Sequence, residues 1–281
     1  MSTTFRKTMK RITLLALVPA MLAASAQAQV QVNPVADYSE ILTEPAKGQL
    51  FVSTGADYSE GKYGGNVKSK QWTMPLVAKY ETNNWMVKAS MPYVRIKDVN
   101  PNARGESLPC GNAVNTPSDV NGWGDLVATG TYSVVQADGL IIDLGAKVKF
   151  ATGDEDKCLS SGKNDYSAFM DVAKQFGSFT AFGGFGWTSK GDPKFLGVTT
   201  DYRNPFFGSV GGAYKIGGAT SVGGSYDYRQ RLTSSGDPIS ELTLFLTHKY
   251  SPNLKIQGYA VAGLSNASPD FGAGALVGFG F

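Results

Sequence analysis

The 281-residue sequence has little of the chemistry on which most enzymes depend. It contains one histidine and two cysteines, so a site built from a histidine pair or a histidine-rich metal cluster is excluded by count. Only 17% of the residues are charged, but 15 Phe and 13 Tyr argue against disorder. Glycine is abundant, with 34 residues, yet no collagen-like repeat accompanies it. We therefore expect a folded protein that is not an enzyme and that holds neither a metal nor a cofactor.

Long apolar runs are also absent, apart from one near the start of the chain. Four basic residues precede the run 12–24, and Ala26-Gln27-Ala28 follows it. The run is short for a membrane-spanning helix, which needs about 20 residues. This order is typical of a secretory signal peptide, so residues 1–28 are predicted to be removed on export. The remaining chain has 22 basic and 23 acidic side chains, which gives it little electrostatic attraction for nucleic acid.

What recurs instead is alternation with a period of two. In the segment Leu140 to Phe150, every second residue is apolar, while Asp143, Lys147 and Lys149 lie on the opposite face. Because successive side chains of a strand point to opposite faces, this pattern predicts a strand with one apolar and one charged face. The sequence contains twelve such segments: 48–58, 71–81, 85–94, 124–135, 140–150, 165–175, 178–188, 202–214, 220–231, 239–250, 254–263 and 271–281.

The links between these segments alternate in length. Short turns such as 82–84 alternate with longer links such as 95–123 and 151–164. An even number of strands with short turns on one side and long loops on the other is typical of bacterial outer-membrane barrels. A soluble β-sandwich would also alternate, but it would not sort its links by length. The sequence thus predicts an all-β fold, a closed antiparallel transmembrane β-barrel of about 12 strands over residues 48–281, in the bacterial outer membrane.

The ends of the barrel segment carry further signals. Aromatic residues on the apolar faces fall near both ends of the predicted strands, as expected of rings that settle at the two membrane interfaces. Phe281 ends an alternating strand, and such a terminal aromatic is a membrane-assembly signal for the barrel-assembly machinery. The segment 29–47 precedes the first strand, and the sequence leaves open whether it lies in the periplasm or enters the lumen.

The polar faces of the strands are predicted to line the barrel interior. Their positive and negative charges are nearly balanced, which does not favour a strongly selective ion pore and fits either a solute pathway or a filled, structural interior. Pro75, Pro92 and Pro205 fall inside predicted strands, where each removes a ladder donor and is predicted to kink or open the wall. The main predicted lumen-lining residues are Lys79, Glu81, Lys88, Asp125, Asp143, Lys147, Lys149, Asp171, Asp227, Arg229, Glu241 and Lys249.

Two other residue types require an interpretation. Cys110 and Cys158 lie in neighbouring long links of an exported chain, which favours a disulfide over two free thiols or a metal pair.

His248 could suggest a barrel phospholipase or protease. Its position in the alternation places it on the lipid face near the periplasmic end, and position 250 is Tyr where a phospholipase-like site would want Ser. An interfacial histidine without a catalytic role is therefore the favoured interpretation.

Part of the sequence resembles a known family. The stretches Gly122-Trp123-Gly124-Asp125-Leu126 and Leu144 to Asp154, followed by Leu159 to Asp165, are similar to the outer-membrane proteins of the MetA-pathway of phenol degradation. The similarity centres on residues 122–166. It implies an outer-membrane barrel that moves small hydrophobic or aromatic compounds, and it supplies no catalytic residues.

These observations lead to two hypotheses. The first is an outer-membrane channel for uptake of small, hydrophobic or aromatic solutes, with capture at the loops and release through the bore or through the wall at a proline. The second is a closed structural or surface-interaction barrel. In both, membrane lipid and lipopolysaccharide are expected partners, and a small apolar solute is a partner only in the first.

Overall fold

The computed structural model describes residues 48–98, 119–155, 157, 159–195, 198–199, 201–234 and 236–281. The predicted signal peptide, the segment 29–47 and the cysteines Cys110 and Cys158 lie outside these residues, so the processing, the placement and the disulfide stay predictions. The described part of the chain has no helix long and apolar enough to cross a membrane.

The regular elements of the described chain are all strands. They are β1 (Gln49–Gly61), β2 (Ser69–Glu81), β3 (Trp85–Lys97), β4 (Asp119–Trp123), β5 (Leu126–Ala137), β6 (Leu140–Phe150), β7 (Asp165–Phe176), β8 (Phe179–Ser189), β9 (Lys194–Phe195), β10 (Val198–Thr199), β11 (Phe206–Ile216), β12 (Thr220–Arg229), β13 (Ile239–Ser251), β14 (Leu254–Gly263) and β15 (Phe271–Gly280).

These strands form one closed antiparallel barrel. β4 and β5 both pair with β3 and act as a single strand broken at Gly124 and Asp125. β9 and β10 form a separate two-stranded hairpin in the link between β8 and β11. The barrel closes where β1 pairs with β15, from Phe51 opposite Gly280 to Glu60 opposite Phe271. Twelve strands of the described chain thus make up the wall, as predicted.

The predicted strand bounds hold to within a few residues, and for 140–150 and 254–263 they are the observed bounds. One prediction is wrong. Pro205 lies before β11, which begins at Phe206, so it does not interrupt a strand. Its carbonyl accepts the Thr188 N–H at 3.0 Å, but a proline has no N–H to donate, and regular pairing begins one residue later.

The distribution of apolar and polar residues over the two faces of the wall is the reverse of that in a soluble protein. Along β13, the outward Leu244 is 70% exposed while the neighbouring inward Thr243 is 1% exposed. The same alternation of exposed apolar and buried polar residues runs along β2, β3 and β6. A sandwich would bury its apolar face, whereas here that face is the outer surface. The surface is therefore suited to hydrocarbon, and the barrel is a transmembrane barrel.

Aromatic side chains mark both interfaces on this outer surface. We call the end with the short turns the inner end and the end with the long links the outer end. Every aromatic residue that follows is exposed. Near the outer end lie Trp72, Tyr93, Phe150, Tyr166, Trp187 and Tyr228, and near the inner end lie Tyr80, Trp85, Phe179, Tyr214, Tyr250, Phe279 and Phe281.

Three of the inner turns contain residues with left-handed backbone angles. Asp138 and Gly139 have φ of 51° and 73° in the turn between β5 and β6. Two successive residues with positive φ are typical of the type I′ turn, whose twist matches that of the flanking strands. The turn between β7 and β8 contains Gly177, with φ of 62°.

Candidate functional site: the barrel interior and its outer mouth

The predicted lumen-lining residues lie on the inward face of the wall. Ten of them are buried, and Asp227 and Lys249 are partly buried at inward positions of β12 and β13. The buried ten are Lys79, Glu81, Lys88, Asp125, Asp143, Lys147, Lys149, Asp171, Arg229 and Glu241.

Four of the inward charges near the outer end form a chain of ion pairs. The Lys149 Nζ atom lies 3.2 Å from Asp125 Oδ2 and 3.1 Å from Asp165 Oδ2. Lys190 adds a second ammonium to Asp165 at 2.9 Å. All four side chains are at most 6% exposed. Buried charges are costly unless they are paired and hydrogen-bonded, and here each carboxylate has both kinds of partner.

Asp125 and Lys149 hold the long link 151–164 in place. Asp125 Oδ1 accepts hydrogen bonds from the backbone N–H groups of Thr152 and Gly153, at 3.1 and 2.9 Å. Lys149 donates to the Ser161 hydroxyl at 2.9 Å, farther along the link. Side chains of the wall thus bind both the start and the later part of this link.

An apolar contact fixes the middle of that link. Leu159 is fully buried and packs with Val94, Ile96 and Val120 of β3 and β4. A side chain at Gly122 would collide with the Leu159 side chain, and Gly122 also has a positive φ of 155°. The link therefore folds inward across the outer mouth near β3 and β4 instead of extending away from the barrel.

A second group of polar residues lies on the opposite side of the mouth. Asp57 accepts a hydrogen bond from the Tyr259 hydroxyl at 2.8 Å. In the link between β1 and β2, Tyr63 hydrogen-bonds Ser59 and lies close to Glu241. Burial is the main reason that the pKa of Tyr63 is raised, so its phenol stays protonated. The mouth therefore has a hydrogen-bonded acidic side in addition to the ion-pair chain.

Deeper in the barrel, the register sets like charges side by side. Lys79 pairs with Glu81 at 2.8 Å, but its cross-strand neighbour is Lys88. On β6 and β7, Asp143 lies opposite Asp171. Charges of one sign therefore lie side by side at these levels, which the sequence did not predict because the alternation gives the face of a residue and not its cross-strand neighbour.

The sequence analysis missed a set of inward aromatic residues. Five of them lie directly opposite a glycine on a neighbouring strand, and a side chain at that glycine would overlap the ring. Each ring therefore lies along the wall, over the gap that the glycine leaves. The five pairs are Phe169 with Gly145, Phe182 with Gly211, Phe207 with Gly186, Phe245 with Gly223 and Tyr259 with Gly274.

These rings belong to a larger apolar cluster inside the barrel. It draws buried residues from eight strands, so it is a band on the inner wall and not a local patch. A cationic group borders it, since Lys147 Nζ lies 5.6 Å from the centre of the Phe207 ring. The signal was present in the sequence, because Phe169 and Phe245 share the face of Ser167 and Thr243. The cluster comprises Met86, Ile141, Phe169, Ala173, Phe182, Phe207, Ala213, Phe245, Tyr259 and Leu276.

Two of the predicted prolines interrupt the wall together. Pro75 of β2 lies directly opposite Pro92 of β3. On the far side of β2, pairing with β1 stops after Leu76 and resumes at Thr73, and on the far side of β3 it passes from β5 at Ser90 to β4 at Tyr93. Neither proline has an N–H group, so Pro75 donates no backbone hydrogen bond to β1, and Pro92 donates none to β4 or β5. The two gaps in strand pairing therefore lie on either side of the proline pair, at the same height in the wall.

His248 lies on the outward face near the inner end, where the alternation placed it. Its Nδ1 atom is 2.8 Å from the Thr220 hydroxyl, and its ring packs edge-on against Tyr250 at 4.7 Å between centroids. Among the described residues, no group of three or more His, Cys, Asp or Glu side chains is placed to hold a metal ion.

Comparison with known proteins gives relatives in structure only. No family model matches the sequence, and no curated protein matches it. The fold is similar to that of the COG4313 outer membrane channel from Pseudomonas putida F1, with a TM-score of 0.65 at 13% identity over 85% of this chain and 97% of that one.

Two porins are more distant neighbours. The KdgM porin has a TM-score of 0.53 at 9% identity, covering 82% of this chain and 99% of its own. The NanC porin has a TM-score of 0.51 at 12% identity, covering 82% and 98%. The chain therefore has the fold of outer-membrane channels, and the resemblance to the phenol-degradation family stays a prediction.

Proposed function

We propose that this protein is an outer-membrane channel for the uptake of small hydrophobic or aromatic solutes. The observation that carries the proposal is the apolar cluster on the inner wall. Besides filling the space over the glycines, the five inward rings give the interior an apolar surface, and such a surface suits a pathway for apolar solutes better than one for polar solutes. The fold shared with a COG4313 outer membrane channel supports the same conclusion.

The geometry suggests a route with three stages. A solute would first meet the outer mouth, where the folded link 151–164 and the ion-pair chain limit access. It would then bind the rings of Phe169, Phe245 and Tyr259, which lie along the wall. Release would follow through the bore or through the wall at Pro75 and Pro92, where two neighbouring ladders are interrupted.

Transport assays on proteoliposomes test the proposal. We expect the purified protein to speed the entry of a small aromatic hydrocarbon into vesicles more than the entry of a sugar of similar size. Replacing both Phe169 and Phe245 by Thr should lower the aromatic flux by roughly tenfold, if each ring contributes about 0.7 kcal/mol of binding within the usual range for aromatic contacts.

Phe185→Thr provides the matched control, because Phe185 is 59% exposed on the outward face of β8 and does not reach the interior. This variant should leave the flux unchanged. A folded wild-type protein that moved no solute at all would contradict the proposal and favour the closed structural barrel.

A further inference from the structure

A buried glutamine on the inner wall has polar atoms without partners. Gln257 of β14 is 1% exposed, and neither its carbonyl oxygen nor its amide nitrogen makes a hydrogen bond with any group of the described chain. Its direct cross-strand neighbour is Thr247 of β13, which is 2% exposed and whose hydroxyl likewise has no partner in this part of the chain. We call these two residues the polar pair.

A matched pair elsewhere on the inner wall is satisfied. Ser167 and Thr188 are also buried cross-strand neighbours, and their hydroxyls hydrogen-bond each other at 2.9 Å. An unsatisfied buried group costs free energy, so three such atoms on two neighbouring side chains call for an explanation other than packing. Other glutamines do find partners, namely Gln71, Gln136, Gln175 and Gln230.

The polar pair adjoins the aromatic part of the apolar cluster. Phe245 and Tyr259 are direct cross-strand neighbours, and each lies two positions from a member of the polar pair, on the same strand and the same face. On the other side of Gln257, its cross-strand neighbour is Leu276 of the same cluster. The unsatisfied atoms thus lie at the edge of the surface to which a solute is proposed to bind.

The spacing suits a small substituted ring. Two residues along a strand advance by about 7 Å. A solute ring that lies against Phe245 and Tyr259 can therefore bring a directly attached polar group to a hydrogen-bond distance of about 2.9 Å from Gln257.

The unsatisfied atoms define the chemistry of that group. The Gln257 carbonyl accepts hydrogen bonds, its NH₂ group donates them, and the Thr247 hydroxyl can do either. A primary carboxamide matches this set, because one N–H can donate to the glutamine carbonyl while its own carbonyl accepts from the glutamine NH₂. Its second N–H can donate to Thr247. A hydrocarbon offers none of these bonds, and a carboxylate has no hydrogen to donate.

We propose that the polar pair binds the carboxamide of a small aromatic amide whose ring lies against Phe245 and Tyr259. The inference rests on the proposed function and narrows it, since it assigns a solute class to the aromatic part of the pathway. Gln257 and Thr247 are then the residues that distinguish an aromatic amide from a hydrocarbon of similar shape.

The test measures binding of benzamide to the full-length protein in detergent by calorimetry. Gln257→Met keeps the length of the side chain but removes two hydrogen bonds, so it should bind benzamide about 25-fold more weakly. Thr247→Val removes one bond and should weaken binding about fivefold. N,N-dimethylbenzamide, which has no N–H group, should bind the wild type much more weakly than benzamide does.

A second measurement separates a binding role from a structural one. An unsatisfied buried amide destabilises the empty barrel, so the urea midpoint of Gln257→Met should be equal to or higher than that of the wild type. Thr188→Val is the matched control, because it removes a hydroxyl from the satisfied pair on β7 and β8. This variant should have a lower midpoint and unchanged benzamide binding.

Several results would overturn the proposal. They are no binding of benzamide by the wild type, equal binding by Gln257→Met, equal binding of the dimethyl amide, or a lower midpoint of Gln257→Met, as a structural water bound to the amide would cause. Flux of an aromatic hydrocarbon should stay unchanged in Gln257→Met. A wild type that binds benzamide through Gln257 but moves no hydrocarbon would contradict the proposed function and support this site, whereas hydrocarbon flux without benzamide binding would contradict this site alone.

Discussion

Strands β6 to β15 and strands β1 to β5 enclose the same interior, but they build the wall in different ways. Along β6 to β15 of the barrel, the ladders are continuous except for a bulge near Tyr250 at the inner end. This part contains all five aromatic-glycine pairs. Along β1 to β5, the ladders are interrupted around Pro75 and Pro92.

The difference shows how one barrel can combine a rigid part of its wall with a part that can open. Glycine weakens a strand, but a ring lying over each glycine restores packing on the inner side. Proline removes a hydrogen bond and nothing in the ladder replaces it. We therefore expect the aromatic-glycine part to hold its shape and the proline part to be where the wall opens.

The largest effect is expected where the link 151–164 is attached to the wall. Lys149→Met would leave Asp125 and Asp165 without the ammonium that they share. Deleting one partner of a buried ion pair costs about 3–5 kcal/mol, so urea should unfold this variant at a clearly lower concentration. Proteases should also cleave the link earlier.

Lys157→Met is the control for that variant, because Lys157 and its partner Asp154 are both exposed. An exposed ion pair contributes about 0–1 kcal/mol, so this change should leave both readouts nearly unchanged. If Lys149→Met were equally harmless, the ion-pair chain would not be what holds the link.

A smaller effect is expected from crowding an aromatic-glycine pair. Gly145→Ala would force the Phe169 ring off the wall, and overpacking of this kind costs about 1–3 kcal/mol. The measurement is the urea midpoint of the folded barrel in lipid vesicles. Gly218→Ala has open space around it and should change stability by less than about 0.5 kcal/mol. Equal midpoints for the two variants would mean that the rings can move freely, against the idea of a firm wall.

The smallest change in stability, but a clear change in transport, is expected at the proline pair. Replacing Pro75 and Pro92 by Ala supplies two N–H donors, each of which can stabilise the barrel by about 0.5–1.5 kcal/mol. The loss of each proline also gives the unfolded chain more freedom, which offsets about 0.4–1 kcal/mol, so the net gain should stay below about 1 kcal/mol. Flux of an aromatic hydrocarbon should fall several-fold, while liposome swelling by small sugars stays the same. Pro205→Ala, which lies outside the strands, should alter neither. Unchanged aromatic flux in the double variant would rule out release through this part of the wall.

The sequence predicted the strands well because alternation and link length are local features. The bounds of β6 and β14, the outward position of His248 and both aromatic girdles follow from counting along the chain. What the sequence did not predict depends on partners far apart in the chain. Gly145 lies opposite Phe169 only because of the register between β6 and β7, and no pattern within either strand fixes that register.

The candidate site likewise has features that the sequence could predict and features that it could not. The faces of Lys149 and Asp165 were predictable, but the bridge that Lys149 forms between Asp125 and Asp165 depends on three strands meeting at the outer end. Burial of Leu159 depends on how a link folds, for which the sequence has no periodic signal. The error at Pro205 arose in a glycine-rich segment, where apolar and polar residues alternate least clearly.

The seam between β1 and β15 has a consequence for how the protein reaches its final state. Phe51 pairs with Gly280, and Phe281 exchanges backbone hydrogen bonds with Leu50, so the first strand cannot satisfy one whole side of its backbone until the last has been synthesised. During export, that exposed edge is a template for pairing with any other extended chain. This edge disappears only when the first and last strands pair, so we expect the chain to need protection from pairing with other chains until the barrel closes.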